Sequence, residues 1–177
     1  MSPSLRATIT GLMLLAASLG STAVVAQDRP AFLDPNLAIS VEADSAELSQ
    51  ERNVSVYRGN VRLERGPLVL TGDRLVINRD PETNRIRATL SGSPARADYQ
   101  DPNAEGQPVV ATARRIAYVT GQELLELEGA AQIQRGEDSL KGESVRYEIP
   151  LARIQAEGDA DDRVRITIQA PNDTPTP

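Results

Sequence analysis

The chain has 177 residues, which is enough for one domain with a buried core. It contains no cysteine and no histidine, and this excludes a disulfide framework, thiol chemistry and any catalytic triad that uses either residue. The net charge of −6 and the aromatic content of 3% disfavour nucleic acid as a partner, because an acidic surface repels phosphates and stacking platforms are scarce.

Residues 1–26 are predicted to be a cleavable signal peptide. One arginine precedes an apolar stretch from Ile9 to Leu19, and small residues lead up to Ala26, so cleavage is expected between Ala26 and Gln27. The alternative is an uncleaved anchor, but the apolar stretch is short of the ~20 residues that span a bilayer. The mature protein is therefore expected to be exported, with 18 basic against 25 acidic residues and a net charge of −7.

The mature chain is predicted to be one all-β domain with loose ends. Residues 27–36 contain two prolines and are predicted to be a flexible lead, and residues 171–177 are predicted to be a disordered tail. In the domain, residues 37–170, apolar residues alternate with polar ones over short runs, which is typical of half-buried strands. No stretch keeps a helical period for three turns.

An internal repeat organises the domain. Residues 57–77 and 127–147 align without a gap, seventy residues apart, with three glycines and five apolar positions in register. A smaller pattern occurs four times: a small and a polar residue precede two apolar residues of one parity, at positions 43–44, 72–73, 113–114 and 142–143. The predicted unit is a strand, a corner, a strand, a hairpin turn and a return strand, and stacking of four units encloses one apolar interior.

The small-polar pairs are interpreted as corners because the alternation changes phase there. Leu68 and Leu70 have even numbers, whereas Leu75 and Ile77 have odd ones. Since neighbouring side chains point to opposite faces of a strand, a bulge is needed to keep both sets in the core; four ordinary loops are the alternative. A glycine is predicted to follow each return strand, and the acidic residues of the pairs are expected to hydrogen-bond to backbone rather than to catalyse. The sets are the glycines Gly59, Gly92, Gly129 and Gly158 and the acids Asp44, Asp73 and Glu143.

Seven short motifs follow one another along residues 39–168. They are Ile39–Asp44, Tyr57–Val61, Gly72–Ile77, Pro94-Ala95 with Tyr99-Gln100, Gly106–Val109, Leu127–Ala131 and Lys141–Tyr147. Each motif is weak alone, but in this order and behind a signal peptide the set resembles the OstA-like family of periplasmic lipopolysaccharide-transport proteins.

The resemblance implies a fold and a function. The fold is an OstA-like β-jelly-roll of stacked antiparallel strands with open ends, whose apolar groove shields the acyl chains of lipopolysaccharide between the inner and outer membranes. The implied role is a periplasmic bridge protein needed for outer-membrane assembly, with no enzymatic activity and no cofactor. The implied partners, which would associate the protein with both membranes, are an inner-membrane anchored OstA-like protein of the LptC type and the periplasmic domain of an LptD-type outer-membrane translocon.

Inward-facing positions of the predicted strands are candidates for the groove lining. For each one, plain core packing is the alternative to lipid contact. The candidates for contact with acyl chains are Ile39, Val41, Tyr57, Val61, Leu63, Leu75, Ile77, Tyr99, Ile116, Tyr118, Leu127, Ile133, Val145 and Tyr147.

The two edges of the stack favour association. The first strand, predicted at 37–43, has no lysine or proline to block it, and the last is predicted at 163–168. Unpaired edge strands recruit further strands, so head-to-tail self-association in open filaments is expected.

Other readings are less favoured. The acidic stretch 157–162 lacks the full ligand set of a calcium loop and is expected to be a solvated turn, so no metal is predicted. A structural or adhesive exported β-repeat protein without a lipid ligand is the main alternative function. A β-solenoid carbohydrate-active enzyme is a further alternative, which the scarcity of aromatic sugar platforms disfavours.

Overall fold

A computed structural model describes residues 30–34, 36–100, 107–151, 153–160 and 163–169. The signal peptide and cleavage site, most of the long loop at 101–106 and the tail at 171–177 lie outside the described residues. The described part forms one antiparallel sheet, and its helical elements are two single turns of 3-10 helix, Ala31–Leu33 and Ile149–Leu151. The prediction of an all-β domain is confirmed.

Ten strands make up the sheet. They are β1 (Ser40–Glu42), β2 (Ser45–Ser49), β3 (Val54–Arg65), β4 (Leu68–Arg79), β5 (Ile86–Tyr99), β6 (Val109–Val119), β7 (Leu124–Arg135), β8 (Asp138–Glu148), β9 (Arg153–Glu157) and β10 (Arg165–Thr167). The strands from β3 to β8 pair in chain order, each antiparallel to the next.

Each end of the stack consists of two short strands. β1 and β2 both pair with β3, whereas β9 and β10 both pair with β8, and neither pair of short strands has a further partner among the described residues. The predicted open ends are therefore present. The predicted extents of the edge strands are wrong: β1 covers only Ser40–Glu42 instead of 37–43, and β10 covers Arg165–Thr167 instead of 163–168.

The long strands bend along one line that crosses the sheet. The pairing of β3 with β4 shifts register between Arg58 and Val61, and equivalent shifts occur in the four following strand pairs. The predicted corners at 72–73, 113–114 and 142–143 lie on this line, and the corner at 43–44 separates β1 from β2. In the β3–β4 pair, residues 59 and 60 lie opposite residue 73 alone, so the change of phase in β4 coincides with a bulge in the strand beside it.

The return strands bend at the same line. The prediction that a glycine follows each return strand is wrong for Gly59, Gly92 and Gly129, which lie inside β3, β5 and β7, and is confirmed for Gly158, which follows β9. Gly59 and Gly129 have φ angles of 78° and 85°. This left-handed backbone suits glycine, so the strand bends there without ending.

Two of the three acidic corner residues hydrogen-bond across the bend. Glu143 Oε2 accepts from the backbone N–H of Ala130 at 3.1 Å, as predicted. Asp44 Oδ2 accepts from the Asn60 side-chain amide at 2.9 Å, a side chain where a backbone donor was expected. Asp73 makes no hydrogen bond with a described residue, so the expectation is wrong for that corner.

The line of bends divides the sheet into two arms. Arm A comprises 40–42, 61–65, 68–72, 95–99, 109–113, 131–135, 138–142 and 165–167, and arm B comprises 45–49, 54–58, 74–79, 86–91, 115–119, 124–128, 144–148 and 153–157. Buried residues from both arms belong to one hydrophobic cluster, and none of the fully buried described residues is polar or charged. The sheet is therefore folded on itself with the apolar faces of both arms inside.

Candidate functional site

One row of residues on the inner face of each arm crosses the whole stack, and its members are apolar apart from Ser55. Together we name these two rows the seam. No member of the seam is charged. The arm A row is Val41, Leu63, Leu70, Ala97, Ala111, Ile133, Leu140 and Ile166. The arm B row is Leu48, Ser55, Ile77, Ala88, Tyr118, Leu125, Tyr147 and Ile154.

Tight hairpins keep these rows in register. β3 and β4 are joined by Gly66-Pro67, and β7 and β8 by Gly136-Glu137. Gly66 and Gly136 both have positive φ angles, 55° and 57°. Two-residue turns fix the pairing of the flanking strands, and a slip of one residue would move each row to the outer face. The alternation within each strand and the turns between strands thus act together to align the seam.

Buried apolar side chains fill the space between the seam and the line of bends. Arm A contributes mainly alanines there, whereas arm B contributes larger aliphatic residues, so small side chains on one arm leave room for large ones on the other. The arm A residues are the alanines Ala95, Ala113 and Ala131 together with Val61, and the arm B residues are Leu75, Leu90, Ile116, Leu127 and Val145. The deepest part of the interior is thus a buried apolar core, and the seam is the layer directly outside it.

The structure divides the fourteen candidate residues by burial. Those buried in the core are Val61, Leu63, Leu75, Ile116, Leu127 and Val145. Those that are half-buried are Val41, Tyr57, Ile77, Tyr99, Tyr118, Ile133 and Tyr147. Ile39 precedes β1 and is 55% exposed.

Six large members of the seam are absent from the candidates: Leu48, Leu70, Leu125, Leu140, Ile154 and Ile166. Their signal was present in the sequence, because Leu70 alternates with Leu68 and Leu125 alternates with Leu127. Alternation assigns a residue to a face, but the cross-strand register is needed to place it in a row.

The seam is exposed at both ends of the stack. All large hydrophobic residues that are exposed in the described part of the chain lie at or next to the terminal strands. At the β1–β2 end they are Ile39 and Leu48, and at the β9–β10 end they are Leu151, Ile154, Val164, Ile166 and Ile168. Leu48, Ile154 and Ile166 are themselves the last members of seam rows.

The outer face of arm B carries charged side chains that form ion pairs. Glu126 pairs with Arg87 at 2.8 Å and with Arg146 at 3.1 Å, and Glu148 continues the chain of charges to Arg153 at 2.8 Å. These side chains lie partly in solvent, where single ion pairs contribute little to stability. The outer face of arm B thus carries a network of ion pairs, whereas the inner faces of both arms are apolar.

Two shallow hollows open on the described surface. One, of about 300 Å³, lies at the β2 end of the seam, and Leu48, Ile77, Arg79 and Ile86 are among its lining residues. The other, of about 340 Å³, lies beside the second 3-10 turn on the outer face of arm B and is lined in part by Leu124. The first hollow therefore adjoins one open end of the seam.

The described residues include no group of three or more acidic, histidine or cysteine side chains that could hold a metal ion. Two residues of the acidic stretch 157–162, Asp161 and Asp162, lie outside the described residues. No helix in the described part has the length and hydropathy required to cross a bilayer.

Comparisons with known proteins point to one family. Residues 40–151 match the family model described as LptA/(LptD N-terminal domain) LPS transport protein. The chain is 33% identical over 143 residues to the lipopolysaccharide export system protein LptH of Pseudomonas aeruginosa, covering 80% of this chain and 78% of that protein. It is 27% identical over 151 residues to LptA of Escherichia coli K12, covering 85% of this chain and 77% of that one.

A solved structure extends the likeness to the fold. The crystal structure of LptH, described as the LptA homologous periplasmic component of the lipopolysaccharide transport device of Pseudomonas aeruginosa, superposes with a TM-score of 0.66 at 26% identity. The match covers 75% of this chain and 96% of that chain. The folded sheet described above is therefore shared with that protein.

Proposed function

This chain belongs to the LptA/(LptD N-terminal domain) family of LPS transport proteins, and from that membership we propose that it transports lipopolysaccharide across the periplasm. Without a carrier, the acyl chains of lipopolysaccharide would be exposed to water in the periplasm, at a cost of about 0.8 kcal/mol per methylene. A binding protein must supply a continuous apolar surface in their place, and no chemical step is needed.

The seam supports this proposal. It runs uncharged from Val41 to Ile166 in one arm and from Leu48 to Ile154 in the other. No polar or charged side chain is fully buried in the described part of the fold, so a hydrocarbon chain meets no buried charge along the path. Weak, uniform contacts of this kind allow a lipid to move on after it has bound.

We assign lipid contact to the half-buried seam residues rather than to the deepest candidates. Ile77, Tyr118, Leu125, Ile133 and Tyr147 are partly exposed and need only small rearrangements to contact an acyl chain. The arm B core residues behind them are almost fully buried. They would contact lipid only if the arms separated, and until then they hold the arms together through burial of apolar surface.

The exposed ends of the seam support pairing with further domains of the same fold. β8 runs from arm A to arm B, β9 and β10 return from B to A, and β1 and β2 of another copy would run from A to B again. The antiparallel alternation thus continues across the junction. In this arrangement Ile166 of one copy would lie opposite Val41 of the next, which extends the apolar row without interruption.

The partners proposed for these ends are a second copy of this chain, an inner-membrane anchored protein of the LptC type and the periplasmic domain of an LptD-type translocon. Each would add an antiparallel edge strand, since unpaired N–H and C=O groups at a sheet edge are satisfied most simply in that way. A bridge built from such contacts would carry one seam from membrane to membrane.

The proposal is tested by displacement of a fluorescent fatty-acid probe with lipid A, using purified protein. Leu125→Asp places a charge in the seam and is expected to weaken lipid A binding at least tenfold. Gln134→Asp, on the outer face of the same strand, is the matched control and should bind normally. Equal binding by both variants, with unchanged thermal melts, would contradict a lipid site in the seam.

A further inference from the structure

The segment before β1 crosses the open rim of arm A. We name residues 30–34, 36 and 37 the strap. A methyl group placed on Gly66, in the β3–β4 turn, would meet Leu37 Cδ1 at 2.7 Å. Arg65 Nη2, at the end of β3, donates to the backbone oxygen of Asp34 at 3.1 Å. The strap therefore leads away from β1 along the outer end of β3, and all of it except Leu37 belongs to the segment predicted to be a flexible lead.

The strap ends on β5. The backbone N–H of Ala31 donates to the Tyr99 hydroxyl at 3.1 Å. The Phe32 ring packs edge-to-face on the Tyr99 ring, with centroids 5.3 Å apart and planes at 81°. Phe32 and Tyr99 are both half-buried. Because these contacts join residue 31 to residue 99, the strap lies across three strands rather than beside one.

The strap contacts lie at the outer rim of arm A, which we name the entrance of the seam. Arg65, Leu68, Tyr99 and Val109 form a cross-strand row one step outward from the seam on arm A. Tyr99 alternates with Ala97 and Ala95, which lie in the core, so it is on the inner face of β5. The strap thus covers the entrance over β3, β4 and β5.

The chemistry of these contacts matches that of an acylated anion. An aromatic ring packs on Tyr99, where an alkyl chain could pack, and a carbonyl oxygen accepts from Arg65, where a phosphate oxygen could accept. Arg65 also keeps its Nε buried without a hydrogen-bond partner in the described part of the chain. A guanidinium offers several donors in one plane, and a phosphate uses them better than a single neutral carbonyl does.

We propose that the strap is a displaceable closure of the seam, which occupies a rim site for an anionic acylated lipid formed by Tyr99 and Arg65. The inference rests on the proposed lipid-binding function, and it adds that the strap and the lipid compete for the same rim site. The lipid enters where the strap is not in contact, over β6 to β8, and extends toward β3 as Phe32 leaves Tyr99. The strap then limits how much of the seam is open at rest.

The absence of tryptophan from the chain provides a direct reporter. In Phe32→Trp the single indole reports on the strap, and we expect its emission to shift to longer wavelength as a twelve-carbon alkyl phosphate is added below its micelle concentration. The fluorescent fatty-acid probe measures binding in the same sample. Alkyl phosphate that displaces the probe while the indole emission stays constant would overturn the strap and leave the proposed function standing.

Affinity gives the second readout. Phe32→Ala removes the ring that competes for Tyr99 and should tighten alkyl phosphate binding by roughly two- to tenfold. Arg65→Gln should weaken binding of alkyl phosphate but not of a neutral twelve-carbon alkyl maltoside. Unchanged or weaker binding by Phe32→Ala would overturn the proposal. Absence of binding by both the natural protein and Phe32→Ala would overturn the lipid function and the strap together.

Discussion

Val41 in the first strand and Ile166 in the last belong to one apolar row that crosses the stack, although 125 positions separate them in the chain. The row exists because the pairing of each strand with the next places an inward-facing residue of one opposite an inward-facing residue of the other. Its two terminal members face solvent-accessible edges, and this geometry leads to the first prediction.

Charge pairing should set the register of self-association. In the row beside the seam, Glu42 and Arg165 occupy the two ends and would lie opposite each other in neighbouring copies. Glu42→Arg and Arg165→Glu should each weaken association about three- to tenfold, and the double variant should recover it. Sedimentation across a concentration series measures the effect. Additive losses in the double variant would rule out this register.

Leu75 should be a major contributor to stability. It is 0% exposed in the core of arm B, so Leu75→Ala leaves a cavity and is expected to cost about 2–5 kcal/mol in the free energy of unfolding. Leu48→Ala is the matched control, because Leu48 is 67% exposed, and its cost should stay within about 0.5 kcal/mol. Urea unfolding provides both values. Similar costs for the two variants would mean that the arms do not pack as described.

The corner of β7 should tolerate glycine better than alanine. Ala130 has a φ of 50°, a left-handed conformation that disfavours side chains with a Cβ. Ala130→Gly is therefore expected to stabilise the protein by about 0.5–1 kcal/mol, whereas Ala46→Gly, in extended β2, should destabilise it by a similar amount. Opposite signs in thermal or urea unfolding support the bulge geometry. Destabilisation by both changes would contradict it.

Asp80 should make the β4–β5 turn sensitive to acid. Its Oδ1 accepts from the backbone N–H groups of Glu82 at 2.9 Å and Thr83 at 3.0 Å. The bond from Thr83 is the main reason why the pKa of Asp80 lies below its ordinary value of 3.8. A lowered pKa in the folded state means that the stabilisation is present above the unfolded-state pKa and is lost as pH falls through the folded-state pKa.

An NMR titration of the Asp80 carboxyl measures this directly. Asp80→Ala should lower the melting temperature at pH 7, and this difference should shrink as the pH falls through the folded-state pKa of Asp80, because the natural carboxyl then becomes protonated as well. Glu82→Ala, in the same exposed turn, serves as the control. A midpoint for Asp80 at or above its ordinary value would show that these hydrogen bonds do not persist in solution.

The corners could be predicted from the sequence because the alternation of apolar residues changes phase at each of them. The phase change between Leu70 and Leu75 requires a bulge at Gly72-Asp73, and the register shift between β4 and β5 lies there. The bend inside β3 was harder to place, because Tyr57 and Val61 on the two sides of Gly59 keep the same parity, so a strand that bends there and a strand that ends there leave the same pattern. Only the pairing of residues on both sides with β4 distinguishes the two cases.

The depth of a residue inside the fold could not be predicted in the same way. Leu75 and Ile77 have the same parity in one strand, yet Leu75 is fully buried and Ile77 is half-buried at the seam. The difference arises from distance to the bend and from the alanines of the opposite arm, which are remote in sequence. Alternation thus gives the face of a strand, whereas packing between arms decides which residues are available to a ligand.

Site-specific photocrosslinking in living cells tests the central claim most directly, namely that the seam holds the acyl chains of lipopolysaccharide. A photoreactive residue is placed in turn at Tyr118, Leu125 and Ile133 in the seam, and at Arg115 and Gln134 on the outer faces of β6 and β7 as controls. The seam positions are expected to capture lipopolysaccharide and the outer positions are not. Capture at the outer positions alone, or equal capture at both sets, would contradict this account.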